Sequence, residues 1–585
     1  MSDQTGSTGP NGSTGSTAPA RRTPERVVLV GYGPVGARFV EELLPSVRAG
    51  HVQLIVIGAE AAEAYNRVLI AEYAVGNAER EALDITDSVA AQEAGVRIRT
   101  GVSVTAINRT LRTVTLSDAT ALPYDRLVLA TGARANVPTL DGVSRLRREH
   151  MIPATDAAAL DRAGAPLPRR VTVLRDLDDA ETVFAAVRAG KRIVVLGAGV
   201  LGMEIALAAA RAGAEACVVH HGEIPMGRNL DRGGGTVLAR SARRVGVSMV
   251  NHARAESLLF HIDDNGVERF SALICADGKQ INGDLLLLSC GVGARTELAQ
   301  LAGLPVSTGI LVDASLVSWG DPFVYAIGDC AHVAPRPLPG AGQAAVTPSG
   351  APSGLIGAGW RQADWLAARF IAELAWAPPG DGARAANAAS GPPARLLATL
   401  PANLPGNLPT NLPAVVMLKA EGIDVVAAGN TTADPWDEPA RDIRSHATGC
   451  APSPLRVAQW ADPEHGRYVK TVTRDGILEG FVCVGMPRTA AELTLMFERG
   501  SELPADRSVL LRFDGPDYEP ADGNAFAPGA TVCWCNGVTA GAIAVSQKAG
   551  NGTVACIGTA TRAGTGCGGC KARIGEVLER FTAAT

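Results

Sequence analysis

Apolar residues fall along the chain in short runs bounded by glycine or charge, separated by stretches with helical spacing. Val27–Val30, Gln53–Ile57, Arg126–Ala130, Arg192–Leu196 and Leu285–Leu288 are such runs, and unbroken apolar runs of this length are expected of parallel strands buried on both faces. Leu355–Ala375 instead returns an apolar residue every three or four positions, which predicts an amphipathic helix whose Trp360 and Trp365 pack rather than hold a cofactor. Residues 414–512, with LKAEGIDVVAAG and GRYVKTVTRDGILEGFVCVG, alternate like strands of an α+β domain. TVACIG, around Cys556, also reads as a strand and makes that cysteine a core residue.

Three kinds of break divide this pattern. The first 20 residues are Gly, Ser, Thr and Pro without an apolar run, so residues 1–25 are expected to be a disordered tail. Residues 377–413 end in three NLP repeats that cannot hold a helix, because each proline lacks a donor and disfavours helix in the residue before it. Residues 334–354 and 514–528 are further Pro- and Gly-rich stretches, and the second of these suits a flexible tether.

Composition narrows the class. The chain has 585 residues, 46% of them hydrophobic, and a net charge of −5, which is too long for one ordinary domain and argues against a nucleic-acid binder. Its 11 cysteines are too sparse for a disulfide scaffold. The most apolar stretch, Ile193–Val219, carries Glu204, Arg211 and Glu215 and is no membrane span. Arg21-Arg22 is followed by Glu25 and Arg26 rather than an uncharged run, and reads as a solvated charge pair. A soluble, cytoplasmic protein is expected.

Chemistry enters at two glycine motifs. VVLVGYGPVGARFVEEL places Gly31, Gly33 and Gly36 between a strand and a helix, where the first allows a tight turn, the second lets backbone approach a pyrophosphate and the third brings helix against strand. Glu60 follows the next strand, where a carboxylate accepts from a ribose. RIVVLGAGVLGMEIA repeats the pattern with Gly197, Gly199 and Gly202, about 165 residues later. Two cradles suit a flavin and a nicotinamide together. The second motif ends its next strand on His220 and His221 instead of an acid, which leaves NADH and NADPH both open. RLVLATG and LLLLSCGVG are strands ending in small residues that allow the chain to cross between nucleotide domains. DPFVYAIGD stops a strand at Gly328-Asp329, where the carboxylate is expected on a flavin ribityl hydroxyl. Tyr65 and Arg67 are candidates to border the flavin.

The remaining chemistry is at the C-terminal end. Cys533-x-Cys535, 31 intervening residues and Cys567-x-x-Cys570 supply four thiolates, enough for a [2Fe-2S] cluster, with structural zinc as the competing occupant. Gly564, Gly566, Gly568 and Gly569 let backbone wrap such a site.

Residues 26–376 resemble the two-dinucleotide-binding-domain flavoproteins of pyridine nucleotide-disulfide reductase fold. That resemblance implies FAD at Gly31, Gly33, Gly36, Glu60, Thr131, Gly132 and Asp329, and NAD(P)H at Gly197, Gly199 and Gly202, to which Arg67 is added as an FAD-binding candidate and His220 as an NAD(P)H-binding candidate from their places in the sequence. Relatives that reduce disulfides or peroxides carry a cysteine shortly after the ribose-binding acid. Here GAEAAEAYNRVLIAEYAVG has none, and the first cysteine of the chain is Cys217. Disulfide chemistry of that type is therefore not expected, and the electrons need another exit. CWCNGVT and AGTGCGGC resemble the bacterioferritin-associated ferredoxin-like domain, which implies a [2Fe-2S] cluster on Cys533, Cys535, Cys567 and Cys570. The whole arrangement resembles the N-terminal portion of the large subunit of NAD(P)H-dependent nitrite reductases and the electron-transfer subunits of assimilatory nitrate reductases. The former continue into a sirohaem and [4Fe-4S] domain, whereas this chain ends at Thr585, so it is not expected to reduce nitrite itself.

The expected architecture is α/β. An FAD-binding domain (26–145 plus 301–376) and an NAD(P)H-binding domain (171–300) are both Rossmann-like. The linker at 377–413, an α+β interface domain at 414–513, the linker at 514–528 and a [2Fe-2S] domain at 529–585 follow. The interface domain is expected to cover the flavin and to form a homodimer contact or dock a partner. The expected function is electron transfer from NAD(P)H through FAD and the cluster to a partner reductase. A molybdenum-dependent nitrate reductase is the first choice of partner and a nitrite reductase the second. A self-contained reductase of ferredoxin or another carrier protein, and a redox- or iron-sensing module, are the alternatives.

Overall fold

The computed structural model describes residues 23–143, 167–336, 348–376, 415–420, 422–436, 453–514, 527–533, 536–566, 568 and 570–583. The Arg21-Arg22 pair and almost all of the expected tail, the whole 377–413 linker, most of the 514–528 linker, Cys535, Cys567 and Gly569 lie outside these residues.

Two five-stranded parallel sheets form the body. In the first, Glu25–Val30 lies between Val52–Ile57 and Arg126–Leu129, with Arg97–Arg99 and Val324–Ala326 at the edges. In the second, Arg192–Leu196 lies between Glu215–Val219 and Leu285–Leu288, flanked by Ser248–Val250 and Val171–Thr172. Each central strand is covered on both faces, so Val27, Val28 and Leu29, and likewise Ile193, Val194 and Val195, are fully buried. This is why the runs read as continuous rather than alternating. The second sheet is an insertion within the first unit, and the two passages between them, Ala133–Ala135 and Val292–Ala294, pair as an antiparallel ribbon.

The periodic helix spans Ile356–Trp376 and packs along the Pro34–Arg48 helix. Trp360 and Trp365 are both buried, as expected of packing residues, and Trp360 Nε1 donates to Pro34 O at 3.1 Å. Phe370 meets Phe39 and Tyr325 edge-on at 5.8 and 4.9 Å.

The alternating segment forms a five-stranded antiparallel sheet from Val415–Ala420, Ile423–Gly429, Arg456–Asp462, Arg467–Arg474 and Ile477–Val484, followed by the Pro487–Arg499 helix. One face shares a core with the second nucleotide unit, where Leu418, Val425, Tyr468 and Val482 pack with Val237 and Leu238. At this junction Lys470 Nζ, almost completely buried, reaches Asp231 Oδ2 at 3.3 Å and donates to Thr431 O at 3.0 Å. The Tyr468 hydroxyl donates to the same carboxylate at 2.5 Å.

The C-terminal unit pairs Thr531–Cys533 with Val538–Thr539 and adds helices Ala540–Lys548, Val554–Thr561 and Lys571–Ala583 around Val532, Ile543, Ile557, Ile574 and Val577. It corrects one expectation. Cys556 stands exposed on a helix, not buried in a strand. The Thr553 hydroxyl accepts from Cys556 N–H at 3.1 Å and starts that helix, an end signal that outweighs the short apolar run around it. Among the described residues no helix is long and apolar enough to cross a membrane, and no disulfide is formed.

Candidate functional site: a dinucleotide cavity beside a two-cysteine loop

The two glycine motifs fold alike. Gly31 has φ +112° and Gly197 φ +116°, values an L side chain avoids. A Cβ on Gly31 would lie 2.1 Å from Ala130 O, and one on Gly197 2.2 Å from Ser289 O. At the third position, Gly36 and Gly202 each leave only 2.2 Å between a built Cβ and the carbonyl oxygen of the first glycine. The Pro34–Arg48 and Val200–Arg211 helices both begin after an extended glycine, Gly33 or Gly199, with no side-chain cap, so their first N–H groups face the cradles.

A cavity of about 540 Å³ opens at the first cradle. Gly31, Gly33, Glu60, Arg67, Thr131, Gly132 and Asp329 all line it, whereas Gly36 is buried one turn into the helix. Gly197, Gly199, Gly202 and His220 do not line it. They group at the carboxyl end of the second sheet, where Gly199 has open space on its Cβ side. His220 is buried and His221 exposed. Among the described residues His220 Nε2 has no hydrogen-bond partner, and burial, then the neighbouring His221 and His252, push its pKa down to about 4.

The cavity wall carries both signs of charge, with Arg67, Arg175, Arg295 and Arg361 set among Glu60, Glu204, Glu297, Asp329 and Glu498. Arg67 pairs with Glu60 and donates to Arg175 O at 2.7 Å, while the Tyr65 hydroxyl donates to Glu60 Oε2 at 2.9 Å. Arg175 donates to Asp329 Oδ2 and Ala133 O, both at 3.0 Å. Burial, together with the charges of Arg67, Arg134 and Arg175, lowers the pKa of Arg295. Arg67, whose Nε lies 4.0 Å from the Cβ position of Gly33 at the uncapped helix end, suits a phosphate of FAD, and Glu60 and Asp329 supply acceptors for its hydroxyls. The residues fit that group.

Several wall residues carried no sequence signal. Arg175 comes from the turn between the first strand and first helix of the inserted unit, Arg295 from the segment that leaves that unit, Glu204 from the Val200–Arg211 helix, and Val415, Met417 and Glu498 from the antiparallel domain. The antiparallel domain thus closes part of the cavity. No cysteine lies among the described lining residues.

Of the four C-terminal cysteines, Cys533 and Cys570 are described, both buried and in contact. The Cys533 thiol is pushed down to about 6 by its hydrogen bond with Cys570 and by the Gly564 N–H at 3.5 Å and Asn536, against the opposing effect of burial. Asn536 Nδ2 also stands 3.8 Å from Cys533 Sγ. Two thiols meeting beneath N–H donors suit a thiolate-bound cluster.

Comparison with known proteins agrees with this geometry. Residues 25–346 match the pyridine nucleotide-disulphide oxidoreductase family and residues 531–580 the BFD-like [2Fe-2S] binding domain. The chain is 26% identical over 558 residues to nitrite reductase [NAD(P)H] of Bacillus subtilis, covering 95% of this chain and 57% of that protein. It is 24% identical over 562 residues to the assimilatory nitrate reductase electron transfer subunit of the same organism, covering 95% and 60%. The chain therefore spans little more than half the length of these curated relatives. The putidaredoxin reductase–putidaredoxin complex shares the fold, with TM-score 0.60 and 20% identity over 84% of this chain and 96% of that one. With its paired cradles, the cavity at the first of them and this match over more than half its length, the chain belongs to the pyridine nucleotide-disulphide oxidoreductase family, FAD-dependent NAD(P)H oxidoreductases, and carries in addition a BFD-like [2Fe-2S] binding domain.

Proposed function

We propose that the chain is a cytoplasmic electron-transfer component that takes reducing equivalents from NAD(P)H and delivers them through its C-terminal domain to a separate reductase, an assimilatory nitrate reductase of the molybdenum type. The observation that carries this reading is the direct contact between the cavity segment Tyr65–Arg67 and the loop that leads into Cys567. Asn66 Nδ2 donates to Thr565 O at 3.0 Å and to Gly566 O at 2.5 Å. The match of nearly the whole chain to a nitrate reductase electron transfer subunit supports the choice of acceptor.

When bound, FAD supplies hydride acceptance and a [2Fe-2S] cluster supplies one-electron transfer. On this reading the residues of the chain take the following roles. Gly31, Gly33 and Gly36 admit the flavin pyrophosphate with Arg67 beside it, Glu60 takes the ribose, Thr131 and Gly132 border the ring, and Asp329 takes the ribityl chain. Gly197, Gly199 and Gly202 admit the nicotinamide dinucleotide, with His220 at the adenosine end. Cys533, Cys535, Cys567 and Cys570 hold the cluster.

Anaerobic purification with flavin, iron and sulfide analysis, followed by NADH and NADPH titration, tests this. Iron and sulfide with bleaching of both chromophores are expected, and NAD(P)H-dependent nitrate reduction only when the partner reductase is added. Zinc without iron, or nitrate turnover by the chain alone, overturns the proposal. The putidaredoxin reductase relative of Pseudomonas putida, 30% identical over 53% of this chain, favours a second reading in which the acceptor is a small carrier protein. Fast reduction of a ferredoxin with none of the nitrate reductase would select it.

A further inference from the structure

We propose that Asn66 is a positioning residue that holds the cluster-bearing loop against the wall of the flavin cavity and thereby sets the rate at which electrons reach the C-terminal domain. The inference rests on the function proposed above and adds the element that joins its two halves.

Asn66 sits between Tyr65 and Arg67, which both bond Glu60, and it is only 1% exposed. Its side-chain amide is fully used. Oδ1 accepts from Val68 N–H at 3.0 Å and starts the short turn that carries Arg67 into the cavity. Nδ2 donates to the two carbonyls immediately before Cys567, those of Thr565 and Gly566. One amide thus shapes the cavity wall with its acceptor and grips the cluster loop, 500 residues further along the chain, with its donor.

The same loop is fastened at its other end. Arg562 pairs with Glu41 and Glu42, each at 2.9 Å, on the helix whose first turn borders the cavity. Arg562 stands at φ +64°, unusual for a residue with a side chain, and its carbonyl accepts from Asn536 Nδ2 at 2.7 Å. Asn536 and Gly564 N–H in turn face Cys533 Sγ. A displacement of the loop away from Asn66 is therefore also a displacement of the thiol site from the flavin wall. A hydrogen bond made only by a neutral donor to two carbonyls cannot be replaced by a carboxylate, which would oppose both oxygens.

Asn66→Asp separates the two halves of the amide, because it keeps an acceptor for Val68 N–H and loses the donor to the loop. In the full-length holoprotein, anaerobic stopped-flow should show flavin bleaching by NAD(P)H at the wild-type rate. Cluster reduction, followed by freeze-quench electron paramagnetic resonance, should be about tenfold slower, with iron content and cluster g-values unchanged. Hydrogen exchange at residues 562–566 should rise in the same variant. Arg562→Glu should slow the cluster step as well, and Glu41→Arg with Glu42→Arg should restore it, a reciprocal rescue that a general loss of folding does not produce. Equal cluster rates in wild type and Asn66→Asp overturn the inference and leave the proposed function standing. No cluster reduction by NAD(P)H in the wild type overturns both.

Discussion

Arg175 Nη2 donates to Asp329 Oδ2 at 3.0 Å, so the residue that leads from the second sheet into its first helix is bonded to the carboxylate that ends an edge strand of the first. The contact draws an acidic group and a basic one to the same side of the cavity. Asp329→Ala is expected to weaken FAD binding about 10- to 100-fold, the range for a lost hydrogen bond involving a charge. Flavin fluorescence titration of the stripped protein measures it, and an unchanged dissociation constant excludes the carboxylate from holding the flavin.

The two cradles separate by mutation. Gly197→Ala places a methyl group 2.2 Å from Ser289 O at a backbone angle that alanine resists, a strain of roughly 2 kcal/mol or more. The purified variant should retain FAD while its reduction by NADH and NADPH is lost. Gly31→Ala should instead lose the flavin itself. Absorbance at the flavin band and stopped-flow reduction distinguish the two outcomes.

His220 gives the fold an acid limit. Its pKa is lowered to about 4 by burial, so the unfolded chain binds its proton first as pH falls. The stability from keeping it neutral is complete above the ordinary histidine range and falls between pH 6.5 and about 4 by roughly 1.4 kcal/mol per unit. Urea unfolding at pH 7.5 and 4.5 should therefore show a larger drop in the wild type than in His220→Gln. Equal drops would remove this histidine from the account.

Lys470 is the cation that Asp231 meets at the junction of the antiparallel sheet and the second nucleotide unit. Removing one partner of a buried pair costs about 3–5 kcal/mol, because the remaining charge stays desolvated. Lys470→Met should lower stability by that order, and Lys470→Met with Asp231→Asn should recover part of it. Denaturant titration checks both, and a surface-like loss below about 1 kcal/mol would show that the pair is hydrated.

Cys570→Ser should abolish bound iron while flavin reduction by NAD(P)H continues. Loss of both together would show that the C-terminal domain also supports the cavity.

Much of the body was legible because its signals are local. A buried parallel strand must be apolar throughout, and Gly31 and Gly197 announce their turns within six residues of sequence. Of the four cysteines that the spacing singled out, Cys533 and Cys570 are brought into contact. Arg175, Arg295, Met417 and Glu498 were not legible, since each reaches the cavity from a distant segment and its own neighbourhood has no distinguishing pattern. Asn66 lay inside a conspicuous segment, AYNRVLIAEY, but its partners Thr565 and Gly566 are joined to it only by the tertiary fold. Cys556 misled because a short β-branched and apolar run does not separate strand from helix, and the deciding Thr553 cap is a single residue.

The ribbon formed by Ala133–Ala135 and Val292–Ala294 has a kinetic consequence. Because the chain leaves the first nucleotide unit and returns to it through two paired strands, the second unit is tethered at both ends rather than one. Encounter between the two cradles is then a first-order event with a fixed effective concentration, indifferent to dilution of the protein.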